Sequence, residues 1–343
     1  MTRWFEENGP NGDVVISSRV RLARNLAEYN FSLKLDEDSA SGMIEHILGK
    51  LNNIPEFKDY TEFRFKNLNK YQRYAMEERH AISRFLAEQN NAAGLVSPDE
   101  DISIMINEED HIRIQCFTSG MNMPAVYDKA SRTDDIIGGS LNYAYHARYG
   151  YLTTCPSSVG TGMRASYMLH LPALSGTGQL AGIMGEIGRF GLSMSSVFGE
   201  GSSAPGDIYR ISNQTTLGLT ENELIDNIDN IVKQIIEQER MGRRQYADKQ
   251  RITAEDAAYR SYGVLKYARK LSLKDALVLL SELRMGIFLG LFEENENSDF
   301  SIYQMMIGIQ PYSLQVEAGS ELSREELEVE RSEFVRKHLP NLK

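Results

Sequence analysis

The sequence predicts an α+β fold over residues 1–245, followed by an all-helical segment over residues 246–343. Two observations separate these parts. The first part contains several short segments in which apolar and polar residues alternate, which is typical of half-buried strands. The second part shows apolar residues only at helical spacing and carries the serine–acid pairs that begin helices. We therefore place a domain boundary near residues 245–252, in the charged stretch QYADKQ.

The first elements follow from the spacing of the apolar residues. Residues 1–13 are polar and rich in glycine and asparagine, which predicts a loose lead-in, whereas VVISSRVRL (14–22) alternates like a strand. Residues 36–91 are predicted to be mostly helical, because MIEHILGKL and YQRYAMEERHAISRFLAEQ are periodic. DISIMI and HIRIQCF then alternate on either side of the turn-like residues NEED, which predicts a β-hairpin.

The remaining elements are assigned in the same way. YGYLTTCPSSVGTG (149–162) is predicted to run from a strand into a loop, and MRASYMLHLPAL (163–174) to be a strand. Residues 178–191 are predicted to be a glycine-rich helix and residues 193–207 to be rich in loop, and IYRISNQTTLGLTENE (208–223) is predicted to lead from a strand to a helix start. ENELIDNIDNIVKQIIEQER then forms an amphipathic helix. Ser272 with Asp275, and Ser323 with Glu326, mark two further helix starts.

The composition of the chain argues against several classes of protein. The chain of 343 residues has a net charge of −11, which argues against a general nucleic-acid binder because such proteins need a basic surface. Two cysteines exclude a disulfide scaffold and fit a reducing compartment. The N-terminus resembles no signal peptide, and no apolar run is long enough to span a bilayer. We predict a soluble cytoplasmic protein.

Arginines occur on the polar faces of three predicted strands. Arg19 and Arg21 share one face of VVISSRVRL, Arg113 shares a face with Glu109 in the hairpin, and Arg164 lies in the third strand. If these faces converge, they form a strongly positive pocket that suits a polyphosphate, because the planar guanidinium pairs well with phosphate oxygens. The alternative is that each arginine lies separately on a solvated strand face, and spacing alone does not choose between the two.

Acidic residues supply the complementary chemistry. Glu109, in the NEED turn, would act as a base or align a cationic substrate if it lay beside the arginines, although NEED also suits an ordinary polar turn. Glu200 lies between Gly199 and Gly201, which suit a mobile loop over a substrate.

Other motifs predict less. VGTGMRA and SGTGQLA both fit G-x-G-x-x-A, and only the second lies between a predicted strand and a predicted helix, so a dinucleotide-binding unit remains an alternative there. There is no Walker A motif. Cys116 and Cys155 lack metal-ligand spacing, so no protein metal site is predicted, and Cys116 is interpreted as a core residue.

Four stretches together resemble the phosphagen (guanidino) kinase family: SSRVRLARN (17–25), NEEDHIRIQ (107–115), YLTTCPSSVGTGMRAS (151–166), and GEGS (199–202) with ISNQTTLGLTE (211–221). The resemblance covers about residues 14–240. It is closest to the bacterial protein-arginine kinase branch, because only a short segment precedes SSRVR and because the tail, with LLSELRMGIFLGLF and IQPYSLQ, resembles that branch's additional domain.

The resemblance implies a fold and an activity. Residues 1–245 would form a catalytic domain with an antiparallel sheet flanked by helices, and residues 246–343 a helical domain for dimerisation and regulation. The activity would be transfer of the γ-phosphoryl group of ATP to arginine side chains in proteins, with Mg²⁺ held by the nucleotide phosphates and water. In this family such phosphorylation belongs to the stress response and protein quality control, because it marks proteins for a Clp-type protease and depends on an activator protein.

The resemblance also implies residue roles. The catalytic carboxylates map onto Glu109 and Glu200, and the cysteine near the substrate maps onto Cys155. ATP binding maps onto the following residues: Ser17, Ser18, Arg19, Val20, Arg21, His80, Arg113, Arg164, Ala165, Ser166, Tyr167, Met168, Ser195, Ser196, Val197, Phe198 and Gly199. A guanidinium has a pKa above about 12 and is a poor nucleophile, so carboxylates that orient it and take its proton are chemically apt.

The sequence departs from the family at two sites. Ser195 stands where the family carries an arginine, so activity is weakened, compensated by Arg189 or Arg210, or absent. A degenerate kinase that regulates by binding nucleotide or phosphoarginine is therefore one alternative, and a kinase of small guanidines is another. The phosphoarginine-reading motif R-D-x-x-R-A corresponds only in part to LEVERS (327–332), which keeps Arg331, places Glu328 at the acidic position, and has lost the first arginine.

Overall fold

The computed structural model describes residues 2–199, 204–292 and 301–342. Its strands are β1 (Val15–Arg24), β2 (Thr61–Arg64), β3 (Ala93–Val96), β4 (Ile102–Ile106), β5 (Ile112–Ser119), β6 (Tyr145–His146), β7 (Gly150–Tyr151), β8 (Met163–His170), β9 (Leu192–Ser196) and β10 (Ile208–Asn213). Its α-helices are α1 (Glu37–Leu51), α2 (Lys70–Glu78), α3 (Arg84–Ala87), α4 (Met123–Gly138), α5 (Pro172–Gly176), α6 (Leu180–Ile187), α7 (Glu221–Lys249), α8 (Arg251–Tyr267), α9 (Leu273–Phe288), α10 (Ile302–Gly308), α11 (Pro311–Ala318) and α12 (Arg324–His338).

The strands form an eight-stranded sheet in the order β2-β3-β4-β5-β1-β8-β10-β9, and β6 pairs with β7 separately. Every pairing within the eight-stranded sheet is antiparallel. The predicted antiparallel sheet with flanking helices is therefore confirmed. The dinucleotide-binding alternative is wrong, because such a unit needs neighbouring parallel strands around SGTGQLA.

The two faces of the sheet differ because side chains alternate along each strand. On β1, Val20 and Leu22 enter a core that also contains Ile47 of α1, Val126 of α4 and Ile228 of α7. The opposite face of the same strand carries Arg19 and Arg21. One face is thus an apolar support covered by helices, and the other presents charged groups.

The predicted hairpin is confirmed by β4 and β5, which pair antiparallel around residues 107–111. The prediction that residues 36–91 are mostly helical missed β2. This strand has four residues and a single buried side chain, Phe63, which packs beside Phe65. Such a short edge strand contains too few alternations to produce a period that the sequence reveals.

Two other local predictions differ from the structure. Residues 1–13 are not a loose lead-in, since Trp4 and Phe5 are buried and Asp13 is paired with Arg240. Two aromatic anchors suffice to dock a segment whose average composition is polar. The sequence predicts a loop-rich stretch over residues 193–207, and its first four residues belong to β9, because LSMSS pairs with β10 although it contains few apolar residues.

The regular elements that the structure describes in the tail are all helices, from α8 to α12. Both predicted helix starts are confirmed: the Ser272 side chain accepts a hydrogen bond from the Asp275 N–H, and Ser323 forms a capping box with Glu326. The helix α7 ends at Lys249 and α8 begins at Arg251, within the stretch where the sequence predicts a boundary. Among the described residues, no helix is long and apolar enough to cross a membrane.

Buried polar contacts join the tail to the sheet. His170, at the end of β8, accepts a hydrogen bond at Nδ1 from Arg284 of α9 at 2.8 Å, and its Nε2 lies 2.9 Å from the Ser281 hydroxyl. Burial, together with the charges of Arg284 and Arg243, lowers the pKa of His170 well below its usual value. The imidazole is therefore neutral, which is the form that lets Nδ1 accept from an arginine.

Glu239 is the buried acid of this region, and its replacement should be costly. It accepts hydrogen bonds from the Ala173 and Leu174 N–H groups, both at 3.0 Å, and pairs with Arg243 at 2.7 Å. We expect Glu239→Ala to lower the free energy of unfolding by about 3–5 kcal/mol, because it leaves Arg243 buried without its counter-charge. Urea denaturation measures this loss. The matched control is Glu237→Ala, whose side chain is 63% exposed and which should change stability by less than about 0.5 kcal/mol.

Candidate active site

The polar face of the sheet brings together the arginines that the sequence singled out. Arg21 of β1 lies directly opposite Arg164 of β8, and Arg19 lies opposite Ser166. On the other side of β1, Arg113 of β5 lies opposite Ala23. Because residues opposite each other in an antiparallel pair share a face, these side chains lie on one surface. Arg210 of β10 joins them on this surface, opposite Met168. We call these five arginines the arginine face.

The arginines influence one another strongly. Burial, followed by the charges of Arg21, Arg210, Arg113 and Arg164, holds the pKa of Arg19 well below its usual value. Burial and the charges of Arg113, Arg210 and Arg164 do the same to the pKa of Arg21. A shift of this direction means that the folded chain holds positive charges close together at an energetic cost. Such an arrangement is typical of a site for an anion that the protein must neutralise.

Three members of the arginine face have no hydrogen-bond or ion-pair partner among the described residues. Arg19 donates to the Ser166 hydroxyl at 3.0 Å, and Arg113 pairs with Glu108 and Glu109. By contrast, Arg21, Arg164 and Arg210 have no hydrogen bond or ion pair within the described part of the chain. Guanidinium groups that converge without partners fit the several oxygens of a polyphosphate.

Some charged residues of the hairpin loop NEEDHIR stabilise the loop, and others are available to a ligand. Glu108 is buried, accepts from the Ser83 hydroxyl at 2.6 Å, and lies 2.5 Å from Arg113. Asp110 accepts from the Asn25 side chain and from the Thr154 N–H, both at 2.7 Å. His111 is buried and accepts from the Leu26 N–H at 3.0 Å. These three side chains hold the loop in place through their hydrogen bonds.

Glu109 is the member of the loop that is free to act on a ligand. Its side chain is 41% exposed and lies 3.1 Å from Arg113. It lines a cavity of about 640 Å³ with Cys155, Asp36 and Glu37. The structure therefore brings Glu109 and Cys155 to one acid-lined cavity, which suits a cationic group. Through Arg113, this cavity adjoins the arginine face.

The segments predicted to bind ATP divide between the two faces of the sheet. The side chains of Ser17, Ser166 and Met168 lie on the arginine face. Those of Ser18, Val20, Ala165 and Tyr167 lie on the opposite face, where Ser18 donates to the Gly120 carbonyl and Tyr167 donates to Asp229 of α7. The alternation of the strands requires this division, so contact between these four residues and a nucleotide would involve their backbone.

The segment that contains β9 approaches the same face. Ser195 lies opposite Arg210, and the Ser196 hydroxyl donates to the Gly199 carbonyl. Val197 and Phe198 pack against the apolar cluster of the helical tail. Gly199 adopts a φ of +86°, which glycine accommodates without a steric penalty. Glu200, the second predicted catalytic carboxylate, lies outside the described residues.

His80 connects the arginine face to the tail, through a contact that the sequence did not reveal. Its Nε2 lies 2.7 Å from the hydroxyl of Tyr303 in α10, and burial, with the charges of Arg210 and Arg19, lowers its pKa well below the usual value. His80 has a φ of +62°, a strained backbone conformation for a residue with a side chain. The buried Tyr303 thus places a hydroxyl from a distant part of the sequence beside His80, near Arg210 and Arg19.

The partial phosphoarginine motif lies elsewhere, in α12. Arg331 is buried, and it donates to the carbonyls of Ile309 at 2.9 Å and Leu271 at 3.0 Å. Glu328 lies 3.5 Å from Arg324. The guanidinium of Arg331 therefore joins three parts of the helical tail in this structure.

Two family descriptions match this chain along most of its length. The description "ATP:guanido phosphotransferase, C-terminal catalytic domain" matches residues 42–242, and "Protein-arginine kinase McsB C-terminal domain" matches residues 251–343. A protein-arginine kinase of Caldanaerobacter subterraneus subsp. tengcongensis is 42% identical over 94% of this chain and 96% of its own length. This chain belongs to the ATP:guanido phosphotransferase family, in its protein-arginine kinase branch. It is therefore an enzyme of the phosphotransferase class.

Further relatives agree with this membership. The protein-arginine kinase of Clostridium novyi is 40% identical over 100% of this chain and 99% of its own length. That of Geobacillus stearothermophilus is 40% identical over 99% of this chain and 94% of its own length. The guanidino-kinase family resemblance that four short stretches predicted is confirmed across the full chain.

Solved structures support the fold. A duplicated taurocyamine kinase from Schistosoma mansoni superposes with a TM-score of 0.61 at 27% identity, covering 70% of this chain and 35% of that one. This chain therefore spans about a third of that duplicated protein. A lombricine kinase superposes with a TM-score of 0.58 at 22% identity over 68% of each chain, which indicates a shared fold.

The family's nucleotide fits the groups on the arginine face. Members of the ATP:guanido phosphotransferase family use ATP, whose phosphates require several cations at close quarters. Arg21, Arg164 and Arg210 lie on one surface of the sheet, where such cations are assembled. The described residues contain no group of three or more histidine, cysteine or acidic side chains arranged to hold a metal ion.

Proposed function

We propose that this chain transfers the γ-phosphoryl group of ATP to a guanidinium nitrogen of arginine side chains in proteins. One juxtaposition supports this most strongly. Arg113 connects the arginine face to the acid-lined cavity, since it belongs to the face and lies 3.1 Å from Glu109, which lines the cavity. A polyanion and a cation would thus meet at Arg113.

The arginine face would bind the phosphates of ATP. Phosphoryl transfer requires mostly positioning and neutralisation of charge on the transferred group. Among the described residues, Arg21, Arg164 and Arg210 have no ion-pair partner to give up when a nucleotide enters. Mg²⁺ would be held by the phosphates and water, and would neutralise further charge. Because the guanidinium groups are already assembled, little reorganisation is needed in the transition state.

Glu109 would orient the acceptor. A carboxylate forms charge-assisted hydrogen bonds with a guanidinium and so fixes one nitrogen toward the phosphorus. As the new N–P bond forms, the bond between the γ-phosphorus and the β–γ bridging oxygen breaks, and ADP leaves. The nitrogen loses a proton, which Glu109 accepts in this proposal. A role for Glu200 as a second carboxylate and for Cys155 beside the substrate remains part of the same proposal.

The proposed cellular role is supported by family membership alone. We propose that phosphorylation marks proteins for a Clp-type protease, that an activator protein controls the reaction, and that the helical tail, residues 246–343, mediates homodimerisation and regulation. A cytoplasmic location is the setting that this role requires. A phosphoarginine site at Glu328 and Arg331 remains a prediction, although Arg331 is already bonded to two carbonyls.

The release of ADP with different acceptors tests this proposal. We expect Mg-ATP and casein to produce ADP at a rate well above the rate without acceptor, and free arginine or creatine to add little. The acid-lined cavity opens at the surface beside exposed residues such as Phe85, which suits a side chain on a protein. Turnover that is faster with free arginine or creatine than with casein would instead indicate a kinase of small guanidines.

A second candidate function is a regulator that binds nucleotide without catalysing transfer. Ser195 motivates it, because the family carries an arginine there. This candidate predicts that the wild-type protein binds ATP and phosphorylates no acceptor, and that Ser195→Arg produces activity from near zero. Little change on Ser195→Arg in an active protein would exclude it.

A further inference from the structure

Arg210 occupies a distinctive position on the arginine face. In the sheet, β10 lies between β8 and β9, and Arg210 is opposite Met168 on one side and Ser195 on the other. Side chains that are directly opposite in an antiparallel pair lie about 4.5–5.5 Å apart at Cβ. Arg210 therefore extends from the position on the sheet that is immediately beside Ser195, on the same face.

The charge of Arg210 acts electrostatically on the other residues of the arginine face. Burial is the largest cause that lowers the pKa values of Arg19, Arg21 and His80, and the charge of Arg210 lowers all three further. Burial lowers the pKa of Arg210 itself, and Glu77 and Tyr303 oppose this shift only in part. No carboxylate lies within ion-pair distance of Arg210 in the described part of the chain. A partly buried arginine without an ion-pair partner is unfavourable, and this cost is offset when an anion binds.

We propose that Arg210 binds the nucleotide phosphates and supplies, from β10, a positive charge beside the neutral Ser195 of β9. The inference rests on the proposed function, because it assigns a residue to the same phosphate site. Arg210 and Ser195 face each other across one strand pair, so the charge from β10 lies beside the position where β9 carries a neutral side chain. Ser195 is then the residue that leaves space for the Arg210 side chain, since two facing arginines would repel.

Arg189 does not fulfil this role. It is exposed, and it lies in the turn before β9 begins at Leu192. It therefore lies outside the strand register that places Ser195 and Arg210 together. This makes Arg189 a matched control, since it is a nearby arginine with no place on the arginine face.

The test combines binding and turnover in four proteins: wild type, Arg210→Gln, Arg189→Gln and the exchange variant Ser195→Arg/Arg210→Gln. Calorimetric titration with ATP and with adenosine separates phosphate contacts from base contacts. We expect Arg210→Gln to weaken ATP binding by roughly 10- to 100-fold, with adenosine binding unchanged. We expect it to lower kcat on casein by about 10²-fold. Arg189→Gln should match wild type in both measurements, and thermal unfolding verifies that every variant is folded.

The exchange variant distinguishes a phosphate contact from a structural role. It should recover at least about tenfold of the lost ATP affinity, because the charge returns to the face from β9. Unchanged ATP affinity in Arg210→Gln, or equal losses for ATP and adenosine, overturns the inference. A failure of the proposed function looks different, since wild type would then bind ATP through Arg210 while leaving arginine unphosphorylated.

Discussion

Replacing Arg21 with glutamine should lower kcat/KM by about 10²–10³-fold while making the nucleotide-free protein more stable. The loss of activity follows from the removal of one preorganised charge that stabilises the transferred phosphoryl group. Arg21 is the strand residue directly opposite Arg164, and the charges of Arg113, Arg210 and Arg164 all act on it. It therefore lies at the centre of the arginine face.

The gain in stability follows from removing repulsion between like charges in the nucleotide-free protein. Without a nucleotide, Arg21 is partly buried among like charges, which lowers its pKa and destabilises the folded state for as long as the group is charged. Removing it should raise the free energy of unfolding by about 0.5–2 kcal/mol, as is common when function has required an unfavourable arrangement. A merely structural arginine would show the reverse, since its loss would destabilise the protein.

Thermal unfolding with and without Mg-ATP measures both effects. A saturating ligand at 100 times its Kd stabilises a protein by about 2.7 kcal/mol, so wild type should gain more from ATP than Arg21→Gln does. The order of the two melting temperatures should then reverse on adding ATP. Arg132→Gln, a change on the exposed face of α4, is the control and should alter neither stability nor turnover. A destabilised Arg21→Gln protein with normal turnover would contradict the assignment.

Replacing Glu109 with glutamine should lower kcat on protein substrates by about 10²–10⁴-fold, the range for a group that accepts a proton in the transition state. Glutamine keeps the shape of the side chain but lacks the negative charge and the basicity. Because Glu109 is 41% exposed and its pair with Arg113 is partly solvated, stability should change by less than about 1 kcal/mol. Rapid-quench kinetics with casein and Mg-ATP measures the chemical step directly.

Glu45→Gln is the matched control for this variant. Glu45 is also an exposed glutamate in an ion pair with an arginine, Arg64, but it lies on α1 away from the arginine face. Its replacement should leave turnover within about twofold of wild type, because a surface ion pair contributes little. Equal effects of the two replacements would show that Glu109 acts only through surface charge.

The sequence predicts the parts of the site that lie within single elements. The alternation in SSRVR is enough to place Arg19 and Arg21 on one face, and the strand register confirms that they share it. The hairpin around NEEDHIR follows from two alternating segments and a polar turn. Within that turn, however, only tertiary packing separates Glu109, which is exposed, from Glu108 and Asp110, which are buried in hydrogen bonds.

Contacts between distant segments could not be predicted in this way. Nothing local in IYRISN indicates that Arg210 lies beside Ser195, because this neighbourhood depends on the order of strands in the sheet. Likewise, the contact of His80 with Tyr303, and the burial of Trp4 against Phe117 at a ring distance of 4.3 Å, join segments that share no sequence period. The period of the sequence predicts on which side of a strand or helix a residue lies. Which distant residues it contacts there depends on tertiary packing.

The position of the transferred phosphorus tests the proposed function most directly. Wild type would be mixed with ATP labelled in the γ-phosphate, Mg²⁺ and casein for a single turnover, and the label located by mass spectrometry under conditions that preserve acid-labile bonds. The proposed function predicts label on a guanidinium nitrogen of casein arginine with wild type, and almost none with Glu109→Gln. Label on serine, threonine or tyrosine hydroxyls, or bound ATP with no transfer to arginine, would contradict it.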